Sequence, residues 1–296
     1  MLVVLGMHRS GTSSVTELLE LAGMQMPNAA ARFRPTVWNA HGNYENRALT
    51  RFNERLLVTM GGRWDAPPPL ADGWPRNRPA AAHRREAARL FATELPSSAV
   101  WKDPRLCLVL PFWEHVLDVQ FPAVLVLRHP MEVAGSLRRR DGFSTEIGVA
   151  LWERYLRTAL RSVAGHRVFT VRYDDVLRDP ADFVHRVRPA LQAFGLEPGD
   201  AAAPDVVREA ADPELRHVGA DDSGREERLS VEQRALLRLL DDLPETVEQF
   251  DAVDLGPETP ATAVALAEHG QQPRATASPR RRSATRVIAE RLRRRA

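Results

Sequence analysis

The stretch that decides the fold is VLGMHRSGTSSV, residues 4–15, close to the start of the chain. Gly6 and Gly11 follow an apolar run with the spacing of a loop that holds phosphate between a strand and a helix. Loops that bind a nucleoside triphosphate carry a lysine after the second glycine, and this lysine reaches the outer phosphates. Thr12 stands at that position here. The loop therefore predicts an anion site that does not favour a magnesium triphosphate.

The side chains of the loop favour a highly charged anion. The start of the following helix offers backbone N–H groups and the positive end of its dipole. Ser10, Thr12 and Ser13 add hydroxyl donors, and Arg9 adds a permanent positive charge. Gly11 allows the chain to approach the ligand closely. We expect these five residues to form the anion-binding loop.

Alternating apolar runs and amphipathic segments predict an α/β fold. It is a three-layer parallel sheet with helices on both faces and right-handed crossovers. The predicted strands span residues 1–5, 99–101, 123–127 and 168–171. The predicted helices span residues 11–21, 43–57, 80–94, 107–117, 147–164, 180–194 and 230–249, with a further one starting near residue 131.

The composition predicts one domain and a tail. Residues 1–255 carry the strand and helix patterns, and residues 61–79, rich in proline and glycine, form a loop or lid. Residues 256–296 lack apolar content and are expected to be disordered. Their last part, 271–296, holds nine arginines and one glutamate, a charge of +8. Because the whole chain carries +2, residues 1–270 carry about −6, which excludes a basic nucleic-acid surface on the folded part.

The arginine-rich tail is most simply a solvated terminus. Contact with nucleic acid or with an anionic membrane is the less favoured alternative. The chain has a single cysteine, Cys107, which excludes an internal disulfide and fits a reducing compartment. No apolar run reaches transmembrane length, and the apolar start of the chain is too short for a signal peptide. We expect a soluble cytoplasmic protein; the sequence indicates no oligomeric state.

Polar clusters follow all four predicted strands, at residues 6–13, 102–105, 128–136 and 172–175. Since ligands bind at the carboxyl ends of parallel strands, these clusters predict one shared site. One of them contains Lys102, the only lysine among 41 basic residues. A position that keeps lysine against this bias is expected to need a compact ammonium.

With these motifs the sequence resembles the sulfotransferases that use 3′-phosphoadenosine-5′-phosphosulfate (PAPS). VLGMHRSGTSSV is similar to their 5′-phosphosulfate loop, with Arg9 as the basic residue before S-G-T. LRHPMEVAGSL is similar to their 3′-phosphate motif, which maps to Arg128 and Ser136. VRYDDVLRDP is similar to the segment whose tyrosine, here Tyr173, lies near the adenine. WKDPRL resembles the segment whose lysine, here Lys102, lies near the transferring group.

The resemblance implies an enzyme that moves a sulfuryl group from PAPS to a hydroxyl or amine, with 3′,5′-adenosine bisphosphate as product. The acceptor would be a small molecule or a glycan, such as a sugar, lipid, phenol or natural product. Bacterial members with a GMHRSGTS loop resemble this chain most. The residues agree, because a ligand with two phosphate-type groups needs a second anion site, here Arg128 with Ser136. No metal is required in this interpretation.

Two parts of the family pattern are missing. Pro104 stands where the cytosolic members carry a catalytic histidine, and the C-terminal glycine- and lysine-rich phosphate clamp has only a loose substitute around Gly224 and Arg225. Other branches of the family use a glutamate after the first helix. HGNYENRAL offers Glu45, which is the preferred base, although a glutamate there also stabilises a helix dipole.

His41 and Asp103 remain alternative bases, and Asp103 is more simply an ion-pair partner of Lys102 or Arg105. The predicted catalytic residues are therefore Glu45, Lys102 and Arg9. Two other functions stay open, namely a magnesium-dependent kinase with a degenerate phosphate loop and a non-catalytic nucleotide-binding protein.

Overall fold

The computed structural model of the protein describes residues 1–33, 44–210 and 226–272. The strands in this part of the chain are β1 (Leu2–Leu5), β2 (Val100–Lys102), β3 (Ala123–Leu127), β4 (Val168–Arg172) and β5 (Thr246–Val247). The helices are α1 (Thr12–Leu21), α2 (Arg47–Thr59), α3 (Arg78–Ala81), α4 (Arg84–Glu94), α5 (Leu106–Leu117), α6 (Pro130–Asp141), α7 (Thr145–Ser162), α8 (Tyr173–Arg178), α9 (Pro180–Ala193), α10 (Pro204–Ala210), α11 (Val231–Asp241) and α12 (Pro260–Gln271).

The strands of the described residues form one sheet in the order β2-β1-β3-β4-β5. The first four are parallel and β5 pairs antiparallel with β4. The predicted α/β class is confirmed, with the addition of a two-residue antiparallel edge. Strand β1 lies inside the parallel part: the chain passes from β1 to β2 on one side of it and then crosses to β3 on the other side. That arrangement makes the carboxyl end of β1 the switch point where ligands bind in such sheets.

Side chains of β1 alternate between two apolar cores. Val3 and Leu5 face the core that includes residues of α2, α5, α6, α7 and α12. Leu2 and Val4 face the core that includes residues of α1 and α9. All four are fully buried, as expected for a central parallel strand covered by helices on both faces.

The predicted helix over 230–249 is too long. Helix α11 ends at Asp241, and Thr246 and Val247 form the edge strand instead. Pro244 explains the break, because a proline disfavours helical conformation in the residue before it and removes a backbone donor.

The prediction of disorder from residue 256 is wrong for residues 256–272. Helix α12 packs against α7, and the buried Glu153 of α7 accepts hydrogen bonds from the Thr259 backbone N–H at 2.9 Å and the Thr262 hydroxyl at 2.6 Å. Arg154 forms an ion pair with Glu258. Composition did not reveal this docking because it uses matched polar groups rather than a long apolar stripe. The folded part extends through residue 272, and the rest of the predicted tail, 273–296, lies outside the described residues.

The predicted loop over 61–79 is irregular for most of its length and is partly buried, with a 3-10 turn at Trp74–Arg76. Its role as a lid stays a prediction. Within the described ranges no helix is both long enough and apolar enough to cross a membrane.

Candidate active site

The polar clusters predicted from the strand ends meet at one edge of the sheet. From the end of β2, Lys102 Nζ donates a hydrogen bond to Ser13 Oγ at 3.1 Å. Just beyond β3, Arg128 Nη1 donates to the Arg9 carbonyl oxygen at 3.0 Å. Tyr173, directly after β4, packs against the same loop. The structure thus brings residues of all four clusters together.

The backbone of the phosphate loop is tightly curled. A turn closes with the Ser10 N–H donating to the Met7 carbonyl at 3.0 Å, and Arg9 within it has a φ of 72°. Gly11, with a φ of 88°, leads into α1. A Cβ atom on Gly11 would lie 2.1 Å from Cδ2 of Tyr173, so this position needs glycine for both conformation and space.

The loop contains a buried hydroxyl without a partner. Ser10 is 1% exposed, and its Oγ makes no hydrogen bond within the described residues. A buried polar atom left unpaired costs about 1–3 kcal/mol. An anion in the curl of the loop, held by Ser10 and the backbone N–H groups at the start of α1, fits this site.

The two predicted anion sites are in direct contact. Arg9 Nε donates to Ser136 Oγ at 2.9 Å, so the loop arginine reaches the serine of the second site. Arg128 forms an ion pair with Glu132 at 2.8 Å. Burial lowers the pKa of Arg9 to about 10, and the nearby positive charges of Arg140 and Arg128 contribute to the shift. Such a concentration of positive charge stabilises a bound anion.

Tyr173 packs against the phosphate loop at Gly11. Its side chain is buried, and the Arg128 guanidinium lies 4.7 Å from the centre of its ring. The ring is therefore held between Gly11 and a cation. The predicted contact between Tyr173 and adenine stays a prediction.

Lys102 and Glu45 form a buried ion pair. Lys102 Nζ lies 2.7 Å from Glu45 Oε1, and the two side chains are 3% and 12% exposed. Glu45 lies before α2, where Asn46 caps the helix by accepting hydrogen bonds from the backbone N–H groups of residues 48 and 49. Asn46 thus supplies the cap of α2, and the Glu45 carboxylate pairs with Lys102.

Asp103 is occupied by other partners. It pairs with Arg105 at 3.1 Å and accepts a hydrogen bond from Asn53 Nδ2 at 3.0 Å. Arg105 in turn pairs with Glu54 at 2.8 Å. This geometry agrees with the ion-pair interpretation of Asp103, and Glu45 as the base stays a prediction. The other alternative, His41, lies outside the described residues.

The sequence prediction missed His8 as a site residue. Its ring centre lies 4.6 Å from that of Trp64, and Arg140 lies 5.4 Å from the centre of the Trp64 ring. His8 occupies a variable position of the loop pattern and so gave no signal, and Trp64 lies in the predicted loop over 61–79. Trp74, in the same loop, packs in the core against Phe112 instead.

Within the described ranges, no group of three or more His, Cys, Asp or Glu side chains is arranged to hold a metal ion. The loose substitute for the phosphate clamp, Gly224 and Arg225, lies outside those ranges.

No family model matches the sequence, and no curated protein is significantly similar to it. The chain is similar in structure to the sulfotransferase domain of the olefin synthase of Synechococcus PCC 7002, with 20% identity and a TM-score of 0.44 over 82% of this chain and 95% of that one. It is also similar to a sulfotransferase domain of the curacin biosynthetic pathway, with 17% identity and a TM-score of 0.38 over 99% and 96% of the two chains. At this level of similarity, the function is argued from the residues of this chain.

Proposed function

We propose that the protein binds PAPS and transfers its sulfuryl group to a hydroxyl or amine of a small-molecule or glycan acceptor. One observation carries the proposal. The only lysine of the chain joins a phosphate loop that lacks its own lysine, through Ser13, to a buried carboxylate, Glu45. A cation, an anion loop and a candidate base therefore meet at the switch point of the sheet. The sequence motifs that resemble the PAPS-dependent sulfotransferases coincide with these residues.

The residues around the loop fit a donor with two phosphate-type groups. Arg9, Ser10, Gly11, Thr12 and Ser13 would hold the 5′ group, with the unpartnered Ser10 hydroxyl among the donors. Arg128 and Ser136 would hold the 3′ phosphate, and Tyr173 would lie near the adenine. When bound, PAPS supplies an activated sulfonate attached to a phosphate leaving group.

The chain itself supplies a base and fixed positive charge. Glu45 would accept the proton of the acceptor hydroxyl or amine, in the manner of a general base. Lys102 orients the Glu45 carboxylate through their 2.7 Å ion pair. Arg9 and Lys102 would stabilise the negative charge that develops on the leaving phosphate and the sulfonate. Positioning and fixed charge provide most of the rate enhancement in this scheme.

An aromatic surface beside the loop is the proposed acceptor side. Trp64 and Phe143 are half-buried with ring centres 5.9 Å apart, and Arg140 lies over Trp64. Aromatic faces of this kind stack on sugar rings and phenols. We also propose a cytoplasmic location, which the use of a single cysteine supports.

Calorimetric titration of the full chain tests the donor without knowledge of the acceptor. We expect tight binding of 3′,5′-adenosine bisphosphate and much weaker binding of 5′-AMP, because 5′-AMP lacks the group that Arg128 and Ser136 would hold. ATP is measured with and without Mg²⁺ as the comparison ligand. Equal affinity for the bisphosphate and 5′-AMP contradicts the two-anion site, and tighter binding of Mg-ATP favours a kinase.

Turnover is tested next, by following conversion of PAPS to the bisphosphate with a panel of phenols, sugars and hydroxylated lipids in EDTA. We expect one acceptor class to accelerate the conversion without added metal. Activity that is lost in EDTA and restored by Mg²⁺ contradicts the proposed chemistry. Tight bisphosphate binding without any turnover favours the non-catalytic alternative.

A further inference from the structure

His8 lies within the phosphate loop, one residue before Arg9, and the proposed function does not use it. The residue is 8% exposed, and its Nε2 atom has no hydrogen-bond partner within the described residues. Native structures leave few buried polar atoms unpaired, since each costs about 1–3 kcal/mol. Within the described residues the Nε2 atom has no partner, so it is available to a polar group of a ligand.

Two aromatic rings shelter the imidazole. The Trp64 ring lies 4.6 Å away, centre to centre, and the Tyr155 ring lies 5.8 Å away with its edge toward it. The Tyr155 hydroxyl donates to the Trp64 carbonyl at 2.7 Å and is committed to that bond. The rings shield Nε2 from bulk water, and within the described residues no side chain pairs with it, which leaves it available to a polar group of a ligand.

The surroundings select an anion as that partner. Burial lowers the pKa of the His8 imidazole well below its usual range, and the positive charges of four neighbouring side chains lower it further. These are, in order of effect, Arg105, Arg140, Lys102 and Arg9. These effects favour the neutral ring, which has one N–H to donate, within a field that attracts negative charge.

We propose that His8 donates a hydrogen bond from Nε2 to a sulfonate oxygen of the bound donor. The inference rests on the proposed function, because it assumes that PAPS occupies the loop. The proposed contact of His8 is with the sulfonate, which PAPS carries and its product, 3′,5′-adenosine bisphosphate, lacks. His8 would thus help the enzyme to bind the donor in preference to the product.

The experiment compares the affinities of PAPS and the bisphosphate for the wild type, His8→Leu and His8→Gln. Leucine removes the donor, whereas glutamine carries an amide N–H close to the position of Nε2. We expect His8→Leu to weaken PAPS binding about 10- to 100-fold, as for a hydrogen bond to a charged group. The affinity for the bisphosphate should stay within about twofold, and His8→Gln should restore most of the loss. His185→Leu, at an exposed histidine, is the matched control.

A second readout uses the wild-type protein and remains available if a His8 variant fails to fold. Nitrogen-15 spectra of histidine-labelled protein, with His8 assigned by its absence in His8→Gln or by backbone assignment, report directly on the imidazole. We expect the Nε2 signal to shift on addition of PAPS and to stay in place with the bisphosphate.

Each contrary outcome has a separate meaning. Equal loss of affinity for both ligands in His8→Leu, or an Nε2 signal that ignores PAPS, overturns the sulfonate contact and leaves His8 a packing role. An unchanged ratio of the two affinities overturns it too. Wild-type protein that binds neither ligand overturns the proposed function itself, which distinguishes that failure from the failure of this inference.

Discussion

The buried Glu153 carboxylate of α7 and the buried Ser10 hydroxyl of the phosphate loop differ in how fully they are hydrogen-bonded. Glu153 accepts hydrogen bonds from side chains of α7, α11 and α12. Burial alone raises its pKa, but hydrogen bonds from Thr262, Thr259, Gln233 and Arg157 bring the pKa below the ordinary value. Ser10 Oγ has no partner within the described residues.

The Glu153 carboxylate is a buried polar group that stabilises the fold, whereas the Ser10 hydroxyl is one that we propose to bind a ligand. A fully hydrogen-bonded carboxylate fixes the elements that surround it, and removing its partners strands a buried charge. An unpaired hydroxyl in an anion loop lowers stability slightly, and a ligand relieves this cost when it binds. Variants that remove partners of Glu153 should therefore change the free energy of unfolding, whereas variants of Ser10 should change ligand affinity.

Removal of residues 257–296 should have the largest effect. The truncation strips Glu153 and Arg154 of their partners on α12 and the segment before it. We expect the free energy of unfolding to fall by about 3–5 kcal/mol, because the Arg154–Glu258 ion pair loses one member while Glu153 keeps only Arg157 and Gln233. Urea denaturation measures the fall. A truncation after Gln272 is the control and should stay within about 0.5 kcal/mol of the full chain; equal stability of all three proteins would show that α12 does not stabilise the fold.

Glu45→Gln should come next and should lower the rate far more than the affinity for 3′,5′-adenosine bisphosphate. Glutamine keeps the size of the side chain and accepts a hydrogen bond from Lys102, but it does not accept a proton. We expect kcat with the identified acceptor to fall by roughly 10²–10⁴. Titration with 3′,5′-adenosine bisphosphate should give nearly the wild-type affinity. A normal kcat would transfer the role of base to His41 or Asp103.

Arg128→Ala should act on ligand binding. It removes the cation proposed for the 3′ phosphate and the group that stacks on Tyr173. We expect the affinity for 3′,5′-adenosine bisphosphate to fall by about 2–4 kcal/mol, with little change for 5′-AMP. Arg161→Ala, at an exposed arginine of α7, is the matched control. A variant that loses both ligands equally would contradict a dedicated 3′-phosphate site.

Lys102→Arg should have a smaller effect than Arg128→Ala. It should still impair turnover, although arginine keeps the positive charge. The ammonium is 3% exposed and fits between Ser13 and Glu45, and a guanidinium is wider and planar. Overpacking of a buried site costs about 1–3 kcal/mol of stability, and displacement of the charge from its place beside Ser13 and Glu45 should lower kcat about tenfold. An unimpaired variant would mean that lysine at this position is incidental.

Ser10→Ala should give the smallest effect and the sharpest contrast with Glu153. Since the hydroxyl is unpaired, its loss should leave the free energy of unfolding unchanged or raise it by up to about 1 kcal/mol. Bisphosphate affinity should fall less than tenfold. A clear loss of stability would show that Ser10 has a structural partner.

The sequence was sufficient to predict the parts of the molecule that follow from periodicity. Strand β3 was predicted at its observed bounds because five apolar residues end at a charged one. The position of the candidate site was also predictable, since parallel strands bring their carboxyl ends to the same edge of the sheet. The pairing of Lys102 with Glu45 joins residues 57 positions apart, and no local pattern encodes such a distance.

The remaining features depend on matches between distant polar groups. Thr259 and Thr262 look like surface residues in the sequence, and only the buried carboxylate of Glu153 explains their position. The surroundings of His8 were not predictable from the sequence either, because the rings and charges around it come from other elements of the fold.

The close approach of Gly11 to Tyr173 should make the effects of substitutions at the two positions depend on each other. Any side chain at position 11 collides with the ring, 2.1 Å from the first added carbon, while loss of the ring removes the surface on which Arg128 rests. A smaller residue at 173 would remove the collision but not the strain of a φ of 88°, so a residue other than glycine at 11 should be tolerated best beside a smaller residue at 173. A library randomised at both positions should return strongly non-additive fitness, with the tyrosine tolerated only beside glycine.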